Sequence, residues 1–149
     1  MRILAGVLLG LFLLPIAAHA HSTKVGDVGI GHAWAAISSQ KTTDSGSSID
    51  VYLPLLNNGT EAEALVGAET PLSQKVIIVV RVGGREMTLE PTLALPPGKP
   101  VSFSPTGRFL RLQGLAVPVK VGEHIPLTLQ FKHAGEGKIE IYVEEKASD

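Results

Sequence analysis

The sequence predicts an all-β domain, a β-sandwich or Greek-key barrel, and three observations carry that reading. Short apolar runs recur along the chain, with no stretch that alternates in helical period. Turn chemistry separates the runs, at Asn57-Asn58-Gly59, Gly83-Gly84, Pro96-Pro97-Gly98, Pro105-Thr106-Gly107 and Gly135-Glu136-Gly137. No crossover helix joins them, so a parallel α/β sheet is excluded.

Taken in order, the chain begins with Arg2, an apolar stretch from Ile3 to Leu14, Pro15 and the small-x-small site Ala18-His19-Ala20. That pattern reads as a secretory signal peptide over residues 1–20, cleaved after Ala20. The apolar stretch is short of the roughly 20 residues a membrane span needs. Residues 21–149 then form one domain, with strands expected at 28–37, 48–57, 62–69, 74–82, 85–90, 100–104, 108–113, 125–132 and 137–144. Residues 38–48, polar and small, read as one exposed mobile loop. Asn58-Gly59-Thr60 matches a glycosylation sequon but reads better as the Asn-Gly turn of a hairpin.

Two strands depart from simple alternation. "KVIIVVRV" (75–82) is apolar at five consecutive positions, so both of its faces avoid water. It is either a central strand covered on both sides or a sheet face that meets a partner. In "GRFLRLQGL" (107–115), alternation puts Phe109, Arg111 and Gln113 on one face and Arg108, Leu110 and Leu112 on the other.

Composition excludes several functions. Arg2 lies in the leader, so the mature chain carries 12 Lys and Arg against 14 Asp and Glu, which leaves no footprint for nucleic acid or anionic lipid. The chain has no cysteine, which removes disulfides, thiolate metal sites and cysteine nucleophiles. No serine sits in a nucleophile elbow and no glycine-rich phosphate loop follows a strand, so no enzyme is read here. His124 and His133 read as solvated loop residues, and Met87 is the one methionine beyond the leader.

From Val25 to Val143 the chain resembles the PCu(A)C family of periplasmic copper chaperones. The resemblance is carried by "KVGDVGIGHAW", "YLPLLNNGTEAEALVGAETP", "LPPGKPVSF" and "LQGLAVPVKVGEHIPLTLQF". It implies a cupredoxin-like Greek-key β-barrel, export to the periplasm, and Cu(I) delivery to a copper enzyme, typically cytochrome oxidase. It also implies ligand positions. The family's histidine and nearby methionine fall on Val79 and Arg81, a further methionine falls near Leu89 with Met87 two residues earlier, and its His-x-Met falls on Phe109-Leu110-Arg111. Valine and phenylalanine have no donor atoms, and arginine is a permanent cation, so the usual site is degenerate.

Two readings follow. In the first, copper is handled at another site: cleavage would make His21 an amino-terminal residue able to chelate Cu(II) through amine and ring, with His32 as a third nitrogen and Met87 as the surviving soft donor. For His32 the alternative is a structural imidazole packed beside Trp34. In the second reading, the fold is kept and the metal lost. Val79 and Phe109, rimmed by Arg81, Arg108 and Arg111, then form a surface for a periplasmic partner such as a copper enzyme or its assembly factor.

Overall fold

The computed structural model describes residues 22–44, 46–89 and 92–145. The leader, the cleavage site and His21 lie outside them. The strands are β1 (Thr23–Val25), β2 (Val28–Ile30), β3 (Ala33–Ala36), β4 (Lys41–Thr43), β5 (Gly46–Tyr52), β6 (Pro54–Asn57) and β7 (Glu63–Glu69), followed by β8 (Lys75–Val82), β9 (Arg85–Leu89), β10 (Leu93–Leu95), β11 (Pro100–Ser102), β12 (Arg108–Leu115), β13 (His124–Phe131) and β14 (Gly135–Glu144). A 3-10 turn, Ile37–Ser39, follows β3.

A large sheet runs β10-β7-β13-β14-β3-β5-β12-β8-β9, with β4 paired to β5. It curls into a half-barrel, and a small sheet, β1-β2-β6-β11, packs against its inner face. The cause is visible in β13, where Ile125, Leu127, Leu129 and Phe131 point inward and His124, Pro126, Thr128 and Gln130 point out. Ile49, Val51, Leu110, Leu112 and Ile141 of the large sheet meet Val28, Ile30, Leu55 and Val101 of the small one. Each such buried Leu or Ile contributes about 1.5–3 kcal/mol. This is the all-β, cupredoxin-like architecture that the resemblance implies.

The large sheet is completed by a parallel pair of distant segments, β3 beside β14, with Trp34 opposite Tyr142 and Ala36 opposite Glu144. Two glycines make the geometry possible. Gly114, at φ +69°, bulges β12 where its register to β5 shifts between Gln113 and Leu115. Gly137 lets β1 lie on β14, since a Cβ there would run into Val25 Cγ2.

Several sequence expectations need correction. The run 28–37 is two strands in two sheets, broken at Gly31-His32, where Gly31 N–H donates to Pro54 O (3.0 Å). The run 48–57 likewise changes sheet at Leu53. Segment 38–48 is no single loop: it holds β4 and the start of β5, and Gln40 clips onto the backbone of Val119 through Nε2–O (3.1 Å) and Oε1–N (2.8 Å). Asn57-Asn58-Gly59 makes no hairpin, because β6 and β7 belong to different sheets. Instead the buried Asn57 side chain ties the crossover to Glu61 O (2.8 Å), Leu95 O (2.9 Å) and Gly59 N–H (2.9 Å). Strands β1 and β10, three residues each, are too short to show a period.

Candidate functional site

On the outer face of the large sheet a second, smaller cluster forms from Ala36, Tyr52, Val79 and Phe109, with Trp34 and Ile77 packed on it. Register explains it. Phe109 lies opposite Val79 across β12 and β8, and Arg111 lies opposite Ile77 on one side and Asp50 on the other. Residues directly opposite share a face. The apolar run in β8 is therefore covered twice, Ile78 by the main core and Val79 by this cluster. It is not central in its sheet, since β9 beyond it is the last strand of that side.

Phe109 is fully buried, so it presents no open apolar patch. Two guanidinium groups cap its ring, Arg81 at 4.9 Å and Arg111 at 5.2 Å from the centroid. Neither cation is free. Arg111 grips Asp50 with two bonds, Nε–Oδ1 at 2.6 Å and Nη2–Oδ2 at 3.1 Å, and reaches Glu86 Oε2 from Nη1 at 2.7 Å. Arg81 donates to Glu86 Oε1 (2.7 Å) and to the carbonyl of Pro105 (2.6 Å). Hydrogen bonds from Arg111 first, and from Arg81, pull the Glu86 carboxyl down to about 2. The bond to Asp50, helped by Glu86 and opposed by burial, holds the Arg111 proton more tightly than usual. Burial, then the Asp50 charge, pushes the Tyr52 hydroxyl up to about 12.

Val79, Arg81, Phe109 and Arg111 are thus brought together, with Asp50 and Glu86 as the partners that sequence reasoning missed. Asp50 left one signal, a single carboxylate inside the apolar run from Ile49 to Leu56. Arg108 lies opposite Val80, on the other face. Met87 also pairs with Val80 and is 53% exposed, so it points away from the cluster.

Residues 28–143 match the family model described as "Putative lipoprotein LpqE-like". The chain belongs to the LpqE-like family. The putative lipoprotein Lxx21020 of Leifsonia xyli subsp. xyli is 25% identical to it, across 95% of this chain and 86% of that protein. Among solved structures it is similar to the copper-bound PCuAC domain from PmoF2, at 25% identity and TM-score 0.69, covering 85% of this chain and 99% of that one. The Cu(I) form of DR1885 from Deinococcus radiodurans, 22% identical with TM-score 0.63 over 88% and 85% of the two chains, shares the fold.

This LpqE-like chain does not fit Cu(I) where the PCu(A)C ligands fall. A guanidinium already supplies the positive charge there, and it occupies the carboxylates that could have served a cation. Among the described residues no three His, Asp or Glu side chains gather as a metal site. His32 and His124 flank Tyr142, at 5.2 and 4.4 Å between ring centroids. His32 Nε2 lies 2.7 Å from Glu144 Oε1, while His124 lies 3.7 Å from Glu140. No ring contact joins His32 to Trp34 among the aromatic pairs of the described residues; Trp34 stacks on Tyr52 instead, at 4.6 Å. His133 sits apart, its backbone N–H bonded to the Glu63 carboxylate. Beside His32 opens a cleft of about 570 Å³, lined by Thr23, Pro126, Lys138, Glu140 and Tyr142 among others.

Proposed function

We propose that this chain is an exported, non-enzymatic accessory of periplasmic copper handling that docks a protein partner on its arginine-capped face and carries no Cu(I) there. One observation supports it above the rest: Arg111 is clamped between Asp50 and Glu86 over Phe109, at the positions where the resemblance expects metal ligands. Aromatic and arginine side chains side by side are the composition of protein-contact surfaces, and Trp34, Ile77 and Arg81 remain half-exposed around the capped ring. The partner is a copper enzyme such as an oxidase, or one of its assembly factors. Export rests on the leader cleaved after Ala20 and on the lipoprotein description of the family. The described residues include no helix long and apolar enough to cross a membrane. The 149 residues hold no cysteine thiol to which an S-linked lipid could be attached.

The test joins two measurements. Cu(I) is titrated against a competing chelator, with Met87→Leu beside the native chain, and a photo-crosslinking residue is placed at Thr88, which is exposed and opposite Val79. The expected results are no Cu(I) signal sensitive to Met87 and capture of a copper enzyme or assembly factor from Thr88 but not from Gly84 at the hairpin tip. Tight Cu(I) held by the native chain would return copper carriage to the domain and end the reading, and its release by Met87→Leu would put the ion on the face opposite the arginines. Equal capture from Thr88 and Gly84 would remove the partner.

A further inference from the structure

We infer that β9 is a pairing edge for a second copy of this chain, and that two copies join there in one antiparallel, two-fold sheet. The two sheets end on β1, β11, β10 and β9. Strands β1, β10 and β11 are three residues each, and β11 opens on Pro100, which leaves little backbone to pair. Strand β9 is different. It is five residues long, carries no proline, and runs beside β8 in unbroken register, from Val82 opposite Arg85 to Ile78 opposite Leu89. Among the described residues it pairs with β8 alone. Its acidic side chain, Glu86, is drawn back over the sheet by Arg81 and Arg111 and does not guard the edge. Such an edge is a template for another strand.

Register decides which backbone groups are free. The Arg81 N–H donates to Gly107 O (2.9 Å), so the backbone of Arg81 faces β12 and not Glu86, the residue opposite it on β9. By the alternation of an antiparallel ladder, Glu86 and Thr88 turn their N–H and C=O groups outward, while Arg85, Met87 and Leu89 turn theirs to β8. Two copies can then pair about a two-fold axis centred on Glu86, Met87 or Thr88. Centring on Glu86 sets two carboxylates opposite each other, which is unfavourable. Centring on Thr88 leaves Glu86 with no partner inside the strand. Centring on Met87 sets Glu86 opposite Thr88 of the second copy, and symmetry repeats that pair. Each such pair exchanges both of its N–H···O bonds. No like charges meet, Arg85 falls opposite Leu89, and the Glu86 carboxylate lies beside a hydroxyl. Met87, 53% exposed on the other face, meets its own copy across the axis and leaves water there. The axis stands perpendicular to the sheet, so the two arginine-capped faces lie side by side on one surface. Five residues make a short edge, well below the roughly 1,200 Å² of a stable interface, so the dimer is weak and forms with concentration.

The test is sedimentation equilibrium of the purified protein from micromolar to millimolar concentration, where a monomer–dimer equilibrium is expected. Thr88→Glu sets like charges opposite each other on both sides of the axis and is expected to weaken the dimer roughly 10-fold. Thr88→Pro removes an outward N–H that β8 does not use and is expected to weaken it about as much. Thermal melts of each variant separate loss of pairing from loss of fold. The chain has no cysteine, so single cysteines report the geometry. A non-hydrogen-bonded pair stands about 4.5 Å apart at Cα, inside the roughly 4.4–6.8 Å that a disulfide spans. Met87→Cys oxidised with diamide is therefore expected to form a linked dimer at least about 10-fold faster than Val117→Cys, whose site is the more exposed of the two. Adding Thr88→Pro to Met87→Cys is expected to abolish that difference. A monomer at every concentration, a dimer indifferent to both Thr88 variants, or equal cross-linking from the two cysteines overturns the inference. Another protein's strand bound on β9 of a monomeric chain does the same. Self-association is read in pure protein, so it stands or falls apart from capture of a partner on the arginine-capped face.

Discussion

Replacing Arg111 by methionine isolates the physics of the capped face. Methionine keeps apolar cover over Phe109 but removes both bonds to Asp50, whose side chain is only 5% exposed. Removing one partner of a buried pair costs about 3–5 kcal/mol, because the remaining charge is stranded. Arg111 is itself 15% exposed, so some water reaches the site and the lower end, about 3 kcal/mol at pH 7, is expected. The loss depends on pH with a definite sign. In the native chain the Arg111 bond helps hold the Glu86 carboxyl near 2, so the stability it gives is present above the ordinary value of 4.5 and is lost as pH falls towards 2. The deficit of the variant is therefore smaller in acid than at pH 7, because part of what the substitution removes is already lost from the native chain there. Urea unfolding followed by Trp34, the chain's one tryptophan and stacked on Tyr52, reads both numbers. Adding Asp50→Asn to the variant is expected to recover about 1–2 kcal/mol, since a neutral amide is less costly to bury. A deficit under about 1 kcal/mol at pH 7, or one equal in acid and at pH 7, would refute the reasoning.

Acid titration of the native protein tests Glu86. Its folded pKa, near 2 against an ordinary 4.5, gives stability that is present above the unfolded value and lost as pH falls from about 4.5 to 2. The side chain is 31% exposed, so solvent screening reduces the full effect to about 1–2 kcal/mol, and Glu86→Gln should flatten that limb of a stability-versus-pH curve. Gly137→Ala drives a Cβ into Val25 and should lower stability by about 1–3 kcal/mol, with Val25→Ala recovering part of it in a double-mutant cycle. Asn57→Ala strands the carbonyls of Glu61 and Leu95 and the Gly59 N–H, for an expected loss of about 2–3 kcal/mol in urea unfolding.

By itself the sequence determined the class of fold, because turn residues and period-two alternation are local properties. The Gly83-Gly84 hairpin shows this, with both residues at positive φ between strands that pair Val82 with Arg85. The alternation in "GRFLRLQGL" likewise placed Phe109 and Arg111 on one face, and donor chemistry alone made valine, phenylalanine and arginine poor ligands for copper. What only the tertiary structure decided are the associations between distant segments. The break at Leu53 is marked in the sequence only by Pro54, the first residue of the next strand, and a proline there does not tell that the chain passes from one sheet to another. Arg111 finds Asp50 across β5 and Glu86 across β8 and β9, separations no local pattern encodes, so arginines that read as a free basic rim are ion-paired within the chain. Met87 looks close to the site by residue number and faces the other way, because a one-residue offset in a strand reverses the side chain. His32 was legible only as an isolated histidine. Its place beside Glu144 and Tyr142 follows from β3 joining β14 in parallel, a pairing of the two ends of the domain that only long-range packing selects.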